Sequence, residues 1–260
     1  MRLWFAILVC TVLMQACAQA ETPSPCAPVK HLGQPYTVCS FETPTSVNLW
    51  LTHPDGAPFG QFDRLAAHLA DHGQTLEFAM NAGMYHQDRR PVGLYVEQGE
   101  KVASLVTREG PGNFGLLPNG VFWVDQDGTP HVTESLAFEA EAPDARFATQ
   151  SGPMLVIDGA LHPRFNADGP SRKRRNGVGV TADGATLYFA ISDVPVNFHS
   201  FASLFRDKLN TPNALFLDGY VSKLYAPEIG RNETGLDMGP IVGVVRPSDT
   251  DCPTPPSMIC

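Results

Sequence analysis

The sequence predicts an α+β fold, mostly β-sheet with two or three helices. Three observations carry this. Short apolar runs recur along the chain and end in polar or glycine-containing clusters, the pattern of strands. Few stretches place apolar residues at helical spacing, and they are short. Hydrophobic residues make up 43% of 260, enough for a substantial core in one large domain or two small ones.

Residues 1–20 read as an export signal. Arg2 supplies a positive start, residues 3–14 an apolar stretch too short to span a bilayer, and Ala18-Gln19-Ala20 a small-x-small cleavage site. Export places the protein in the periplasm or outside the cell. Met14-Gln15-Ala16-Cys17 is also a loose lipobox, so the alternative is a lipoprotein anchored through Cys17. No later segment reads as a transmembrane helix. Residues 21–35 are proline-rich and read as a tether ahead of a domain over 36–260. Cys26, Cys39, Cys252 and Cys260 remain after export, which allows three disulfide pairings. The local pairs Cys26–Cys39 and Cys252–Cys260 are preferred, since each would pin a proline-rich end. Neither pair has a histidine at zinc-ligand spacing. The net charge of −9 argues against non-specific nucleic-acid binding.

Residues 36–41 and 46–51 alternate and read as strands. Phe62, Leu65, Ala66 and Leu69 define a helix that stops near Gly73. Residues 76–80 form a buried strand running into Asn81-Ala82-Gly83. Residues 93–97 and 102–107 flank Gln98-Gly99-Glu100-Lys101, a hairpin signal. Residues 110–115 are a glycine-rich turn region, and 120–125 a strand. The acidic, alanine-rich residues 134–146 read as a short helix or a lid. Strands over 177–181 and 213–217 flank one clear helix, 198–209, with Phe198, Phe201, Ala202, Phe205 and Leu209 on its apolar face and Asn197 as its N-cap.

Residues 150–225 concentrate the candidate chemistry. Three apolar runs end in polar tips, Asp158-Gly159, Ser192-Asp193 and Asp218-Gly219. A basic loop, Arg172-Lys173-Arg174-Arg175, lies between the first two and holds four of the 18 Lys and Arg residues. Such a run is ordinarily a solvated loop. Beside strand ends and carboxylates it also suits a phosphate clamp, because guanidinium groups bond phosphate oxygens in pairs. Asn81-Ala82-Gly83-Met84-Tyr85 is either a tight turn, with Gly83 at positive φ and Asn81 bonded to its own backbone, or the edge of a site, which His86 and Asp88 favour. Asn119-Gly120 reads as an ordinary turn. Ser151 lacks the Gly-x-Ser-x-Gly setting of a nucleophile and suits a hydrogen bond to ligand. Asp218-Gly219 is a turn or the tip of a catalytic strand, with Ser222 and Tyr225 adding hydroxyls nearby.

Asn81-Ala82-Gly83-Met84-Tyr85, Asn119-Gly120-Val121-Phe122, Ser151-Gly152-Pro153, Arg175-Asn176-Gly177-Val178-Gly179 and Leu217-Asp218-Gly219 occur in the order seen in the phosphodiester glycosidase domain family, which the chain resembles over nearly all of its mature part. It looks most like the small bacterial exported, exopolysaccharide-related branch. The resemblance implies a single mixed α+β domain and hydrolysis of sugar-1-phosphodiesters. It points to Asn81, Arg175, Asp218 and neighbouring polar groups as the pocket. The uncovering enzymes of that family end the last motif with glycines and a serine, where this chain has Asp218-Gly219-Tyr220-Val221-Ser222.

A sugar-1-phosphodiester carries a weakly basic leaving group, so breaking its anomeric C–O bond needs little general-acid help. It needs cations for the departing phosphate and a carboxylate at the developing oxocarbenium ion. Asp218 is the first candidate for nucleophile or general base, held ionised by the arginines, with Asp193 as second carboxylate. Arg172, Arg174 and Arg175 are the phosphate candidates. Asn81, His86, Ser151, Asn176, Gly219 and Ser222 complete the expected binding set for a carbohydrate phosphodiester. The residues require no cofactor, and a divalent metal held by the aspartates stays open. So do two other readings, a metal-dependent phosphodiesterase and a non-catalytic polysaccharide-binding or export accessory protein.

Overall fold

The computed structural model describes residues 24–248. The chain opens with a hairpin, β1 (Cys26–His31) and β2 (Gln34–Glu42), followed by β3 (Val47–Trp50), helix α1 (Phe62–Ala70) and β4 (Gln74–Asn81). A second hairpin, β5 (Tyr95–Glu97) and β6 (Glu100–Ala103), leads to β7 (Gly120–Asp125), β8 (Pro130–Glu134), helix α2 (Ser135–Glu141), β9 (Ala145–Ser151), β10 (Met154–Ile157) and β11 (Ala160–Leu161). The remainder holds β12 (Asn176–Val180), β13 (Thr186–Ser192), helix α3 (Phe198–Ser203), β14 (Asn213–Asp218), β15 (Leu224–Ala226), β16 (Arg231–Asn232) and β17 (Ile241–Pro247).

These strands build three antiparallel sheets. One has seven strands in the order β1-β2-β13-β12-β14-β10-β11, and two have five, β16-β15-β4-β17-β3 and β6-β5-β9-β7-β8. The α+β expectation therefore holds, with one mixed domain and three α-helices among the described residues. No helix among them is long and apolar enough to cross a membrane.

The three sheets meet on one core. Phe41 and Phe189 from the large sheet, Phe78 from β4 and Phe122 from β7 pack ring to ring, with centroids 4.8 Å apart for Phe78–Phe189, 5.3 Å for Phe41–Phe78 and 5.7 Å for Phe122–Phe189. Offset and edge-on aromatic packing of this kind adds to the gain from burial. Each helix then covers one outer sheet face. α1 lays Phe62, Leu65 and Leu69 on Leu76, Ile241 and Val245. α2 sets Phe138 against Val121 and Trp123. α3 and the π-helical turn that continues it, Leu204–Lys208, bury Phe201 and Phe205 against Leu155 and Phe216. Gly177 and Gly179 of β12 are required there: a Cβ at either would meet Phe201 or Phe205 at about 3 Å.

Several elements differ from the sequence expectation. Residues 26–35 are no tether but the paired strand β1, its turn and the start of β2. The Cys26–Cys39 disulfide joins two directly opposed residues of β1 and β2, as expected for the first local pair. Cys252–Cys260, Cys17 and the export signal lie outside the described residues. The hairpin turn is two residues long, Gln98 and Gly99, both at positive φ, so β6 begins at Glu100 inside the expected turn. Residues 134–146 hold α2, whose Glu134 carboxylate caps the N–H groups of Leu136 and Ala137 at 2.9 and 3.1 Å, and the start of β9. The 198–209 helix is capped by Asn197 as expected, its side chain accepting from the N–H of Ser200 at 2.9 Å. It turns π-helical at Leu204 because the Phe205 carbonyl is taken by Thr211, whose N–H and hydroxyl donate at 3.0 and 3.1 Å.

Candidate active site

β14 delivers Asp218 to the end of the large sheet, beside the end of β4 on the neighbouring sheet. The carboxylate turns back on its own loop. Oδ1 accepts the N–H of Gly219 at 2.6 Å and of Tyr220 at 2.8 Å. Asp218 is thus both an Asx-type turn and a strand-tip carboxylate; the two readings of the sequence are compatible. It is 9% exposed, and burial raises its pKa, opposed by the backbone N–H groups of Tyr220, Gly219 and Val221. No arginine contributes to that shift, so the expectation that neighbouring arginines keep it ionised is not met.

Two asparagines fix this loop. Asn176 sits at a β-bulge of β12 opposite Asp218. Its Oδ1 accepts the N–H of Asp218 at 3.0 Å, and its Nδ2 donates to the Asn81 carbonyl at 2.9 Å. Asn81 Oδ1 accepts the N–H of Lys223 at 2.9 Å. Both asparagines are fully buried. Ser222 donates to the Asp218 carbonyl at 2.8 Å and lies 3.1 Å from that of Arg174. Ser151, also fully buried, donates to the Leu217 carbonyl at 2.7 Å. The structure brings Asn81, Ser151, Asn176 and Ser222 together around Asp218 as expected. Their hydrogen bonds go to the protein and shape the loop, and Ser222 also lines the open trough beside it.

Gly83 and Gly219 serve close approach. Gly83 is not at positive φ; a Cβ there would lie 2.3 Å from the Gln150 carbonyl oxygen. Nor does Asn81 bond its own turn. A Cβ on Gly219 would lie 3.0 Å from the Phe216 ring and 3.5 Å from Arg175 Nη1. Asn119, expected in an ordinary turn, is fully buried and donates to the Phe114 carbonyl at 3.1 Å.

The basic loop separates into four different environments. Arg175 is 1% exposed. Its guanidinium lies 3.6 Å from the Phe198 ring centroid, with Nε on the Val196 carbonyl and Nη2 on the Ser171 carbonyl, each at 3.0 Å. Its Nη1 is buried without a partner, and burial pushes its pKa down to about 10. Arg174 is half-buried and pairs with Glu233 at 2.6 Å. Lys173 bridges Val196 through its backbone, and Arg172 is exposed. Asp193 pairs with Arg231 at 2.8 Å, and Arg231 also bonds Glu233. Asp193, Arg231, Glu233 and Arg174 form one chain of ion pairs. Burial opposes ionisation of Glu233, but the two arginines hold it below its ordinary value.

Asp218 opens into a cavity of about 320 Å³ walled by Tyr85, His86, Arg89, Tyr220 and Asp237. Of the expected binding residues, only His86 faces it. Tyr85 carries a buried hydroxyl with no partner, and burial pushes its pKa up to about 12, helped by the charge of Asp218. Arg89, at φ +71°, places its guanidinium 5.7 Å from the centre of the Tyr85 ring. Across the 219–222 loop lies a second, more open trough of about 610 Å³, walled by Arg174, Lys223, Asn232, Glu233 and Thr234. Tyr220, Val221 and Leu236 border both. Asp193 borders neither. A third cavity, of about 430 Å³ beside α2, is lined by Leu94, Val96, Leu105 and Phe138 together with Lys101, Glu139 and Asp144, and none of the expected site residues borders it. Among the described residues, no three His, Cys, Asp or Glu side chains are grouped to hold a metal ion.

Tyr85, Arg89, Lys223, Glu233 and Asp237 were not singled out as candidates. Tyr85 ends the Asn81–Tyr85 motif, and the polar run 230–237 is a visible signal. Nothing local to Arg89 distinguishes it from Arg90.

Residues 74–242 match the family model described as phosphodiester glycosidase. Among known proteins, the uncharacterized protein YigE of Escherichia coli (strain K12) is 37% identical over 179 residues, 69% of this chain and 69% of YigE. Among solved structures, the catalytic domain of zebrafish N-acetylglucosamine-1-phosphodiester alpha-N-acetylglucosaminidase, auto-inhibited by its pro-peptide, superposes with a TM-score of 0.60 at 15% identity. That match covers 86% of this chain and 84% of the zebrafish chain. At that identity the likeness is one of fold.

Proposed function

The chain belongs to the phosphodiester glycosidase family, and from that premise we propose that it is an exported hydrolase cleaving the glycosidic C–O bond of sugar-1-phosphodiesters. The observation that carries the reading is a buried carboxylate at a strand tip, Asp218, opening into a cavity that also holds the cation Arg89. The cross-strand disulfide suits an oxidising compartment.

Asp218 takes the proton of the attacking water. Burial makes its carboxylate a stronger base than a solvated one, and two backbone N–H bonds fix its orientation. The water oxygen bonds to the anomeric carbon as the C1–O bond breaks, and that electron pair leaves with the phosphate monoester. Positive charge developing on the sugar ring is stabilised by the same carboxylate. Arg89 and His86 face the departing phosphate from the cavity wall, and Arg174 faces it from the trough. Arg175 supports the loop from beneath and does not clamp phosphate directly. Tyr85 stays protonated at any physiological pH and supplies a hydroxyl donor.

Assay of wild type and Asp218→Asn on a synthetic N-acetylglucosaminyl phosphodiester tests the proposal. Turnover in the wild type and a loss of about three orders of magnitude or more in a folded variant are expected. Near wild-type turnover in the variant moves the essential carboxylate elsewhere.

A further inference from the structure

We infer that Asp237 is the second carboxylate of the Asp218 site, an acceptor for a hydroxyl or amide N–H of the bound sugar, and that Gln61 is the positioning residue that aims it. The inference rests on the proposed function and assigns the sugar side of the cavity.

The carboxylate expected to accompany Asp218, Asp193, borders neither space and is paired with Arg231. Asp237 does border the Asp218 cavity. The charges of Asp218 and Asp237 both act on the Tyr85 hydroxyl, so both carboxylates face the space around it.

Asp237 stands on a wall, residues 233–240, that has no helix or strand of its own. The start of α1 grips this wall. Gln61 Nε2 donates to Asp237 Oδ1 and to the Gly235 carbonyl, each at 2.7 Å. The Met238 N–H donates to the Gly60 carbonyl at 2.9 Å. Gly60 lies at φ +68°, and a Cβ there would stand 3.3 Å from the Asp237 carboxylate, so a glycine keeps that place clear.

Gln61 holds Asp237 in place of capping its own helix. It is the N-cap residue of α1, with φ −129° and ψ 148°. A side chain at that position ordinarily accepts from the first helical N–H groups. Gln61 makes no such bond. A residue that leaves its helix uncapped and ties down the wall of a cavity marks a functional constraint.

Charge divides the cavity. Arg89 and His86 suit the phosphate, and a carboxylate repels it. With Oδ1 taken by Gln61, Asp237 keeps Oδ2 for a donor on the ligand. The donors of a sugar phosphodiester are the hydroxyls and any amide of its sugar. A bond from such a group to a fixed carboxylate strengthens as the ring gains positive charge.

A double-mutant cycle on the full chain tests this, with wild type, Gln61→Ala, Asp237→Ala and the pair assayed on an N-acetylglucosaminyl phosphodiester. Asp237 is exposed and Gln61 half-buried, so the variants keep the fold. In Asp237→Ala, kcat/KM should fall about tenfold to a hundredfold, the scale of one hydrogen bond to a charged group, and in Gln61→Ala about tenfold. The pair should be no slower than Asp237→Ala alone, because Gln61 acts through Asp237. A merely structural Gln61 would lower kcat/KM by the same factor in both backgrounds, and that result would overturn the positioning role. Wild-type kcat/KM in Asp237→Ala would overturn the whole inference. If the wild type hydrolyses no diester, the proposed function fails, and saturation-transfer NMR with N-acetylglucosamine decides the inference by itself. Contact with the wild type that weakens in both single variants upholds it. No contact, or equal contact in all three proteins, overturns it.

Discussion

Asn176 and Asn81 belong to different sheets and are bonded to each other, the Nδ2 of Asn176 donating to the Asn81 carbonyl at 2.9 Å. From this pair one amide oxygen reaches forward to the N–H of Asp218, and the other to the N–H of Lys223. The two ends of the 218–223 loop are thereby pinned to one buried point between sheets. Position of the carboxylate depends on this joint together with the Gly219 and Tyr220 N–H groups that the carboxylate itself accepts.

Asn176→Ala should accordingly remove activity while leaving the sheets intact. It strips the Asp218 and Asn81 backbone groups of buried partners, at a cost on the order of 2–4 kcal/mol. Turnover should fall by about two orders of magnitude, because a displacement of about an ångström at the carboxylate is that costly. Circular dichroism and kcat/KM measured on the same preparation check this. Unchanged kcat/KM would mean that the loop is held by other contacts.

Asp218→Asn should be more stable than the wild type at neutral pH, even as it loses turnover. The Asp218 pKa is raised in the folded state, so its proton is bound more tightly there than in the unfolded chain. The associated stability is fully present below the ordinary Asp value near 3.8 and is lost as pH rises through the raised folded value. Asparagine keeps the Oδ1 acceptor for Gly219 and Tyr220 and removes the buried charge. A gain of a few degrees in Tm at pH 7.5 is expected, and the gain should shrink as the pH is lowered towards 4. In the wild type, the acid limb of kcat/KM should lie above the usual Asp range for the same reason. A Tm difference that does not vary with pH would contradict the assignment of a buried charge.

Arg175→Ala should act on stability first. The guanidinium satisfies the Val196 and Ser171 carbonyls and fills the space against Phe198. Losing both the packing and the bonds should cost about 3–5 kcal/mol, lowering Tm on the order of 10 °C. Thermal denaturation checks this. A variant with wild-type Tm and a raised KM would restore the direct phosphate clamp that the sequence suggested.

The sheet-rich architecture was legible because strands announce themselves by alternation and by the turns between them. β2, β3, β4, β7, β12 and β14 all lie where apolar runs stand. β1, with Pro28 and exposed polar positions, reads as a tether because an edge strand buries little of itself. The π-helical turn at Leu204 was invisible, since Thr211 caps the Phe205 carbonyl from six residues on, a bond that the apolar periodicity does not register. The candidate site shows the same division. Asp218 and the residues around it were legible as polar groups at strand ends. Which of them bond the protein and which face the cavity depends on how sheets approach one another, and the sequence does not display that. Arg175 illustrates the point: a cation in a basic loop reads as surface or ligand contact until Phe198 and Phe216 are seen around it.

Hydrolysis of an N-acetylglucosaminyl phosphodiester in ¹⁸O-labelled water tests the central claim most directly. Mass spectrometry of both products locates the incoming oxygen. Attack at the anomeric carbon, assisted by Asp218, puts the label on the sugar and leaves the phosphate monoester unlabelled. Label in the phosphate would show P–O cleavage and contradict the assignment of a glycosidase.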